Sequence, residues 1–262
     1  MRVMSGFRNL FRALSLAHKD AAAARPFTSA AAAPCKIAVV QMCSSSDVEA
    51  NARSCLNDIK TAASRGARVV FLPECFLYIS GGNAPASQPK PLFSLNHPVL
   101  LQFRDAAAAN NVWLSLGGFA LKNDGPDPRA HNAHALIAAD GSVAGVYHKI
   151  HLFDAAGKRP SLSCASTHAS QCSRYHSVTP TIIQFNFAVD GIGAAGRESS
   201  YTCAGTRLCA PVASPAGAIA LQTCYDMRFA VAANALRRMG ADIITCVCWI
   251  GLVDWVVLRV WR

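Results

Sequence analysis

The chain is poor in charged residues, and its apolar segments are too short or too interrupted to predict a membrane span. Only 15% of the 262 residues are Asp, Glu, Lys or Arg. A spanning helix needs about 20 consecutive apolar residues, whereas Asp254 interrupts the apolar tail 249–262. There is no secretory apolar core, and the eleven cysteines lack a compact disulfide spacing. These absences argue against a membrane protein and a secreted disulfide scaffold, and they predict an intracellular, mostly reduced protein.

Acidic residues are almost missing from the first 33 residues, where Asp20 stands alone. Apolar residues recur there at helical spacing between three arginines, and an Ala/Ser-rich stretch follows. This composition is typical of an organellar transit peptide. We therefore predict import into mitochondria, with a plastid or cytoplasmic location as the alternatives, and a disordered Ala-rich tail as the alternative structure.

The positive charge of the chain is unevenly distributed. The net charge is +10, of which +4 lies in 1–33, +3 in 158–197 and +1 in 249–262. The remaining residues together carry only +2. A nearly neutral core does not present the basic face that binds phosphate backbones, so we expect no nucleic-acid partner.

Alternating strand and helix patterns predict an α/β fold. Apolar runs rich in Val and Ile predict strands at 36–41 and 69–72, with a helix over 47–67 between them. This β-α-β order predicts layers of sheet and helix. Farther along, we predict a helix over 99–110, a strand over 112–119, a hairpin turning at 140–141, an extended piece at 208–212, a strand ending at 224, a helix over 231–239 and a strand over 241–248.

Three residues at predicted strand ends have side chains suited to catalysis. Cys224 lies where a strand turns toward a helix, a position that can expose a thiol, direct backbone N–H groups at an oxyanion and lower the thiol pKa. Glu74 follows Pro73 in apolar surroundings and is suited to act as a general base. Lys149 lies between two histidines and can hold developing negative charge. The alternatives are a buried structural cysteine, a capping glutamate and a solvated lysine.

The segment 158–197 differs in composition from the rest of the chain, because it is rich in Ser, Thr and Pro. Within it, Cys164, His168, Cys172 and His176 recur at a spacing of four and could line one helix face as zinc ligands. Helix-forming residues are few there, and zinc sites usually pair their ligands across a knuckle. Zinc binding therefore remains only an alternative.

Five blocks together resemble the nitrilase superfamily of carbon–nitrogen hydrolases. They are KIAVVQ at 36–41, VVFLPECF at 69–76, VYHKIHLFD at 146–154, ESSYT at 198–202 and LQTCYDMRF at 221–229. Within the superfamily, WLSLGGF at 113–119, ASPAG at 213–217 and CYDMRF are most similar to the deaminated glutathione amidases. The resemblance covers roughly residues 36–157 and 197–245.

The resemblance implies a role for each matching residue. Cys224 matches the nucleophile, Glu74 the general base, Lys149 the lysine that stabilises the intermediate, and Glu198 a second glutamate that orients the site. The N–H of Tyr225 would share the oxyanion with Lys149. The implied reaction is amide hydrolysis through a cysteine thioester, with deaminated glutathione giving 2-oxoglutarate and Cys-Gly. The partner is thus a small-molecule amide, and neither a metal nor an organic cofactor is needed.

The resemblance also implies an α-β-β-α sandwich that pairs into homodimers through its helices. Two departures accompany it. Residues 158–196 read as an insertion between Lys149 and Glu198, and the family pattern continues beyond residue 245 with part of the second sheet. We therefore expect a hydrolase domain over 34–248 that is incomplete at its C-terminus and a divergent tail over 249–262. This chain is expected to be unstable or inactive, whereas a full-length version would hydrolyse amides.

Two further functional interpretations stay open. One is a non-catalytic or truncated family member that acts as a binding partner or is a non-functional fragment. The other is a papain-like pairing of a cysteine with His148 or His151.

Overall fold

The computed structural model describes residues 35–80, 90–154 and 198–250, together with two further strands at Ile183–Gln184 and Val253–Val260. The predicted transit peptide 1–33 lies outside these residues, as do the Cys164–His176 ladder and nearly all of the insertion 158–196.

The first sheet carries two of the predicted catalytic residues at its strand ends. Its order is β5-β4-β3-β2-β1-β6. The strands β3, β2, β1 and β6 are parallel to one another, and β4 is antiparallel to both of its neighbours, β3 and β5. The strands are β1 (Ile37–Val39), β2 (Val69–Phe71), β3 (Trp113–Leu121), β4 (His131–Ile137), β5 (Val143–His148) and β6 (Ile183–Gln184).

The second sheet carries Cys224 immediately after one of its central strands. Its order is β10-β9-β8-β7, in which β8 and β9 are parallel and the outer pairs antiparallel. The strands are β7 (Val212–Ser214), β8 (Gly217–Thr223), β9 (Ile243–Ile250) and β10 (Val253–Val260).

Within the described residues, three α-helices cover the outer faces of the two sheets. They are α1 (Val48–Ser64), α2 (Pro98–Asn110) and α3 (Ala230–Arg238). Asp47 caps α1 by accepting a hydrogen bond from the Ala50 N–H over 2.9 Å, and proline stands in the first turn of α2, where no amide proton is needed.

The alternation of side chains along the strands separates two cores. In β2, Val70 packs with Ile59 of α1 and Phe103 of α2, while Val69 and Phe71 point to the opposite face. Both belong to a second buried cluster, whose other members include Ile219, Leu221 and Ile243 of the second sheet and Leu236 of α3. Burying each such side chain contributes about 1.5–3 kcal/mol before the entropy of ordering is counted. The layers therefore run helix, sheet, sheet, helix, which confirms the expected sandwich.

The structure differs from the sequence prediction at the ends of the second sheet. The extended piece expected at 208–212 is a strand shifted to Val212–Ser214. The tail 249–262, for which no element was predicted, contains β10, which pairs with β9 as an antiparallel hairpin. Among the residues described, none of the helices combines the length and apolar character that crossing a bilayer requires.

Candidate active site

Glu74 is held at the end of β2 by a close approach of two backbones. A β-carbon on Gly117 would lie 2.1 Å from the Pro73 carbonyl oxygen, so only glycine fits there without displacement. The next residue after Glu74, Cys75, has a φ of 61° and donates its N–H to Gly118 O over 2.6 Å. This turn directs the Glu74 side chain inward, where the residue is only 4% exposed.

Lys149 follows β5 and places its ammonium between two carboxylates. Its Nζ lies 3.3 Å from Glu74 Oε1 and 2.9 Å from Glu198 Oε2, and the residue is 2% exposed. Burial acts to lower the pKa of Lys149, but the negative charges of Glu74 and Glu198 outweigh it and hold that pKa well above its ordinary value. Lys149 is therefore a fixed cation, which excludes the solvated-surface alternative.

Glu198 is anchored across the segment that separates it from Lys149. Its N–H donates to Phe153 O over 3.1 Å, and the Phe153 N–H donates back to Glu198 Oε2 over 2.7 Å. These reciprocal bonds bring residues on either side of 155–197 together. Glu198 is consequently held against Lys149 although the two residues are 49 positions apart in the chain.

Asn132, in β4, ties the two carboxylates to each other. One amide nitrogen donates to Glu74 Oε1 over 2.9 Å and to Glu198 Oε1 over 3.0 Å. Its position carries no sequence signal beyond a polar residue in an otherwise buried strand, and the prediction missed it. The antiparallel pairing of β4 with β5 places Ala133 opposite His148, so Asn132 faces the same end of the sheet as Lys149.

Cys224 occupies a tight bend between β8 and a single 3-10 turn, Cys224–Arg228. Its φ is 49°, in the left-handed region that L-residues with side chains rarely adopt. Tyr225 follows directly, and its ring contacts Phe153 edge-on with centroids 5.4 Å apart. The backbone N–H of Tyr225 is thus carried on the bend, as the oxyanion prediction requires.

Asp226 fixes this bend from the interior. Its carboxylate accepts hydrogen bonds from the Thr223 N–H over 3.0 Å, from the Tyr147 hydroxyl over 2.8 Å and from the His151 N–H over 3.1 Å. Burial, followed by the Asp226 charge, raises the pKa of Tyr147 well above its ordinary value, so the hydroxyl stays a donor. The network therefore connects the end of β5 with the bend at Cys224.

Cys248, Glu74 and Lys149 all affect the pKa of the Cys224 thiol. A hydrogen bond with Cys248 raises the pKa of Cys224 most, burial and the Glu74 charge raise it further, and Lys149 lowers it. The net effect is an increase, so the expectation that the start of a helix lowers this pKa is wrong. Cys224 is consequently a thiol at rest, and it needs a base to become a nucleophile.

Both histidines of the papain-like alternative contact other groups. His151 Nδ1 lies 2.6 Å from Asp226 Oδ1, and its ring stacks on Phe229 at 3.5 Å. The His148 ring stacks on His131 at 4.0 Å. Since a carboxylate and an ammonium are the charged groups that act on the thiol, the arrangement is Cys–Glu–Lys rather than Cys–His. In residues 35–80, 90–154 and 198–250, no three potential ligands converge to hold a metal ion.

The family model for carbon-nitrogen hydrolase matches residues 36–258. The chain belongs to the carbon-nitrogen hydrolase family. This confirms the resemblance to the nitrilase superfamily, whose crystal structures share the fold. The Caenorhabditis elegans NitFhit protein superposes with a TM-score of 0.53 and 26% identity over 80% of this chain and 43% of that one. Saccharomyces cerevisiae Nit3, a member of branch 10 of the superfamily, superposes with a TM-score of 0.54 and 19% identity. The match covers 80% of this chain and 64% of Nit3.

Two curated relatives of this carbon-nitrogen hydrolase are similar at the level of sequence. The NitFhit fusion protein of Drosophila melanogaster is 33% identical over 209 residues, covering 80% of this chain and 37% of its own length. Deaminated glutathione amidase of Mus musculus is 32% identical over 214 residues, covering 80% and 54%. The chain thus spans about half the length of such relatives or less.

Proposed function

We propose that the chain hydrolyses an amide bond through a thioester on Cys224. The observation that carries this proposal is the buried ammonium of Lys149, which lies 3.3 Å from Glu74 and 2.9 Å from Glu198 and whose charge acts on the Cys224 thiol. A fixed cation next to a nucleophile is suited to stabilise the oxyanion that forms when an amide carbonyl is attacked.

Glu74 is the proposed proton carrier. It accepts the Cys224 proton as sulfur attacks the carbonyl carbon, and it then donates that proton to the departing amine. The resulting thioester is cleaved by a water molecule that Glu74 deprotonates, which releases the carboxylic acid and returns the thiol. Because the Cys224 pKa is raised, the attack depends on this base rather than on a standing thiolate.

Lys149 and the Tyr225 N–H are proposed to stabilise the tetrahedral oxyanion. Lys149 gains interaction energy as the oxygen becomes negative, which favours the transition state over the bound amide. Glu198 is assigned an orienting role, because it holds Lys149 through both carboxylate oxygens at 3.2 and 2.9 Å. Its charge leaves the ammonium protonated throughout the cycle.

The proposed substrate is deaminated glutathione, cleaved to 2-oxoglutarate and Cys-Gly. Support comes from the curated relatives named deaminated glutathione amidase in mouse and in Dictyostelium discoideum, which are 32% and 29% identical to this chain. In this reaction the leaving group is the cysteinyl amine of the dipeptide.

Incubation of the whole chain with deaminated glutathione tests the proposal, with 2-oxoglutarate release as the readout. Glutathione itself is the matched substrate control, since it carries an amine in place of the keto oxygen. We expect Cys224→Ala to lower the rate by about 10³-fold or more, and Glu74→Gln to slow release of the acyl group. Equal rates for the wild type and Cys224→Ala would favour the non-catalytic binding alternative instead.

We also propose that residues 1–33 direct import into mitochondria, on the strength of their arginine-rich, acid-poor composition. Fusing these residues to a fluorescent protein tests this, and a diffuse cytoplasmic or plastid signal would contradict it. Pairing into a homodimer, as the family resemblance implies, is a separate proposal that sedimentation velocity decides.

A further inference from the structure

Two thiols and a thioether lie next to the candidate nucleophile Cys224, and the proposed hydrolysis uses none of the three. Cys246 Sγ and Cys248 Sγ are 3.9 Å apart, and Cys248 Sγ lies 3.9 Å from Met227 Sδ. Cys246 Sγ also lies 3.5 Å from the Cys224 carbonyl oxygen. The cluster joins β9 to the bend that follows β8.

The pairing of β8 with β9 places Cys248 beside Cys224. The two strands are parallel and their last pair is Thr223 opposite Val247, so Cys224 and Cys248 are the residues that directly follow this pair on each side. Neighbouring strands are about 4.8 Å apart, within the roughly 4.4–6.8 Å separation of Cα atoms found in disulfides. The two sulfurs also affect each other's titration, because Cys248 raises the pKa of Cys224 and Cys224 acts to lower the pKa of Cys248.

We propose that peroxide converts Cys224 and Cys248 into a reversible disulfide. As Glu74 accepts the Cys224 proton, the sulfur attacks one oxygen of hydrogen peroxide and the O–O bond breaks. The other oxygen takes up that proton and leaves as water, and Cys224 becomes a sulfenic acid. The Cys248 sulfur then attacks the sulfenic sulfur, the S–O bond breaks, and a second water leaves as the S–S bond forms. A dithiol reductant restores both thiols and is itself oxidised to a disulfide.

Exposure and geometry assign different roles to the three cysteines. Cys224 is half-buried, whereas Cys246 and Cys248 are 4% and 1% exposed, so peroxide reaches Cys224 first. Cys246 is two residues before Cys248 on one extended strand, which separates their Cα atoms by about 6.6 Å, near the upper limit for a disulfide. Cys248 is therefore the resolving thiol for Cys224.

The disulfide would protect the nucleophile from irreversible damage. A sulfenic acid with no resolving partner proceeds to sulfinic acid, which ordinary thiols do not reduce. With Cys248 adjacent, the oxidised site stays recoverable, and any activity that depends on Cys224 is switched off only while the disulfide persists. This inference goes beyond amide hydrolysis and does not rest on it.

Peptide mass spectrometry of the whole chain tests the proposal after treatment with hydrogen peroxide. We expect a cross-linked peptide joining Cys224 to Cys248 that disappears on treatment with dithiothreitol. In Cys248→Ala the cross-link is absent, and Cys224 instead reacts with dimedone, a probe for sulfenic acid, or accumulates as sulfinic acid. Cys246→Ala is the matched control, because it removes a thiol of the same cluster and keeps the cross-link.

Two outcomes would overturn the proposal. One is a cross-link between Cys246 and Cys248 that leaves Cys224 reduced. The other is sulfinic acid forming at Cys224 equally fast in the wild type and in Cys248→Ala. Because the readout is the mass of the peptides, a failed disulfide and a failed amidase assay are distinguishable results.

Discussion

The amide nitrogen of Asn132 lies 2.9 Å from Glu74 Oε1 and holds the general-base candidate in one orientation. The same nitrogen also reaches Glu198. The carboxylates of Glu74 and Glu198 are thus bridged by a neutral donor as well as by the Lys149 ammonium, which offsets their mutual repulsion. A base that must accept and return a proton at a fixed point benefits from such a restraint.

Replacing Asn132 is expected to reduce hydrolysis more than stability. Hydrogen bonds to charged groups are worth about 1.5–3 kcal/mol each, so loss of the bond to Glu74 in Asn132→Ala should lower kcat by about 10–100-fold. Asn132→Asp should be worse, because it adds a third negative charge. Steady-state kinetics measures both, and an unchanged kcat in Asn132→Asp would show that the amide does not orient the base.

Removing the Lys149 charge is expected to destabilise the fold. Lys149→Met leaves Glu74 and Glu198 buried without their cation, which costs about 3–5 kcal/mol for a buried pair. Urea unfolding measures the loss. Lys122→Met, at an exposed lysine, is the matched control and should change stability by no more than about 0.5 kcal/mol.

The double variant Lys149→Met with Glu198→Gln separates charge from packing. Neutralising one carboxylate removes part of the repulsion, so the double variant should be more stable than Lys149→Met alone. If both variants unfold at the same urea concentration, packing of the lysine stem rather than its charge accounts for the loss.

Two of the candidate catalytic residues could be predicted from the sequence because they follow the ends of predicted strands. Glu74 and Cys224 each follow a short apolar run that stops abruptly, and such runs identify both the strand and the residue at its end. Asn132 and Asp226 carry no comparable signal, because their importance arises from partners more than 50 positions away in the chain. A pattern of neighbouring residues in the sequence does not reveal contacts between residues that are far apart in the chain.

A methyl group at Gly118 should disturb the site directly. A β-carbon there would lie 2.4 Å from Asn132 Oδ1 and 2.8 Å from Glu74 Cγ, so both side chains must move. Misplacing a catalytic group by about 1 Å can cost about 10²-fold, and we expect Gly118→Ala to lower kcat/KM by that order.

Gly125→Ala provides the control for Gly118→Ala. Gly125 is exposed, and a β-carbon there would lie 3.2 Å from the Asn123 side chain, away from the carboxylates. This variant should keep wild-type kinetics. Equal losses in both variants would point to a general effect on folding rather than to displacement of Glu74.

Acid should weaken the fold through His134. Burial lowers the pKa of His134 to about 4, and its ring bonds to Ser115 and the Gln222 carbonyl as a neutral imidazole. An unfolded histidine titrates near 6.5, so between about pH 6.5 and 4 the unfolded chain binds more protons. Stability from this group is complete above pH 6.5 and falls by up to about 1.4 kcal/mol per pH unit as the pH drops.

Urea unfolding at several pH values, repeated for His134→Gln, measures this contribution. Between about pH 6.5 and 4, the free energy of unfolding of the variant should depend less on pH than that of the wild type, by up to about 1.4 kcal/mol per pH unit. Burial also lowers the pKa of His148 to about 4, and that residue should supply part of the slope that remains. An identical slope in the wild type and the variant would contradict the assignment.

The outer parts of the second sheet were the hardest to predict. The strand Val253–Val260 lies in an apolar stretch whose composition suits a helix, a strand or an irregular tail equally well. Only its pairing with Ile243–Ile250 identifies it as a strand. The pKa of Cys224 was misjudged for a related reason. A helix start nearby suggests a lowered pKa, but a sulfur neighbour on another strand has the larger effect.

The left-handed backbone of Cys224 restricts which nucleophiles this scaffold can evolve. Side chains branched at the β-carbon are strongly disfavoured at a φ of 49°. Serine fits the bend, whereas threonine would strain it. A lineage built on this bend can thus exchange sulfur for oxygen by a single substitution, but the route to a threonine hydrolase is closed unless the bend itself is rebuilt.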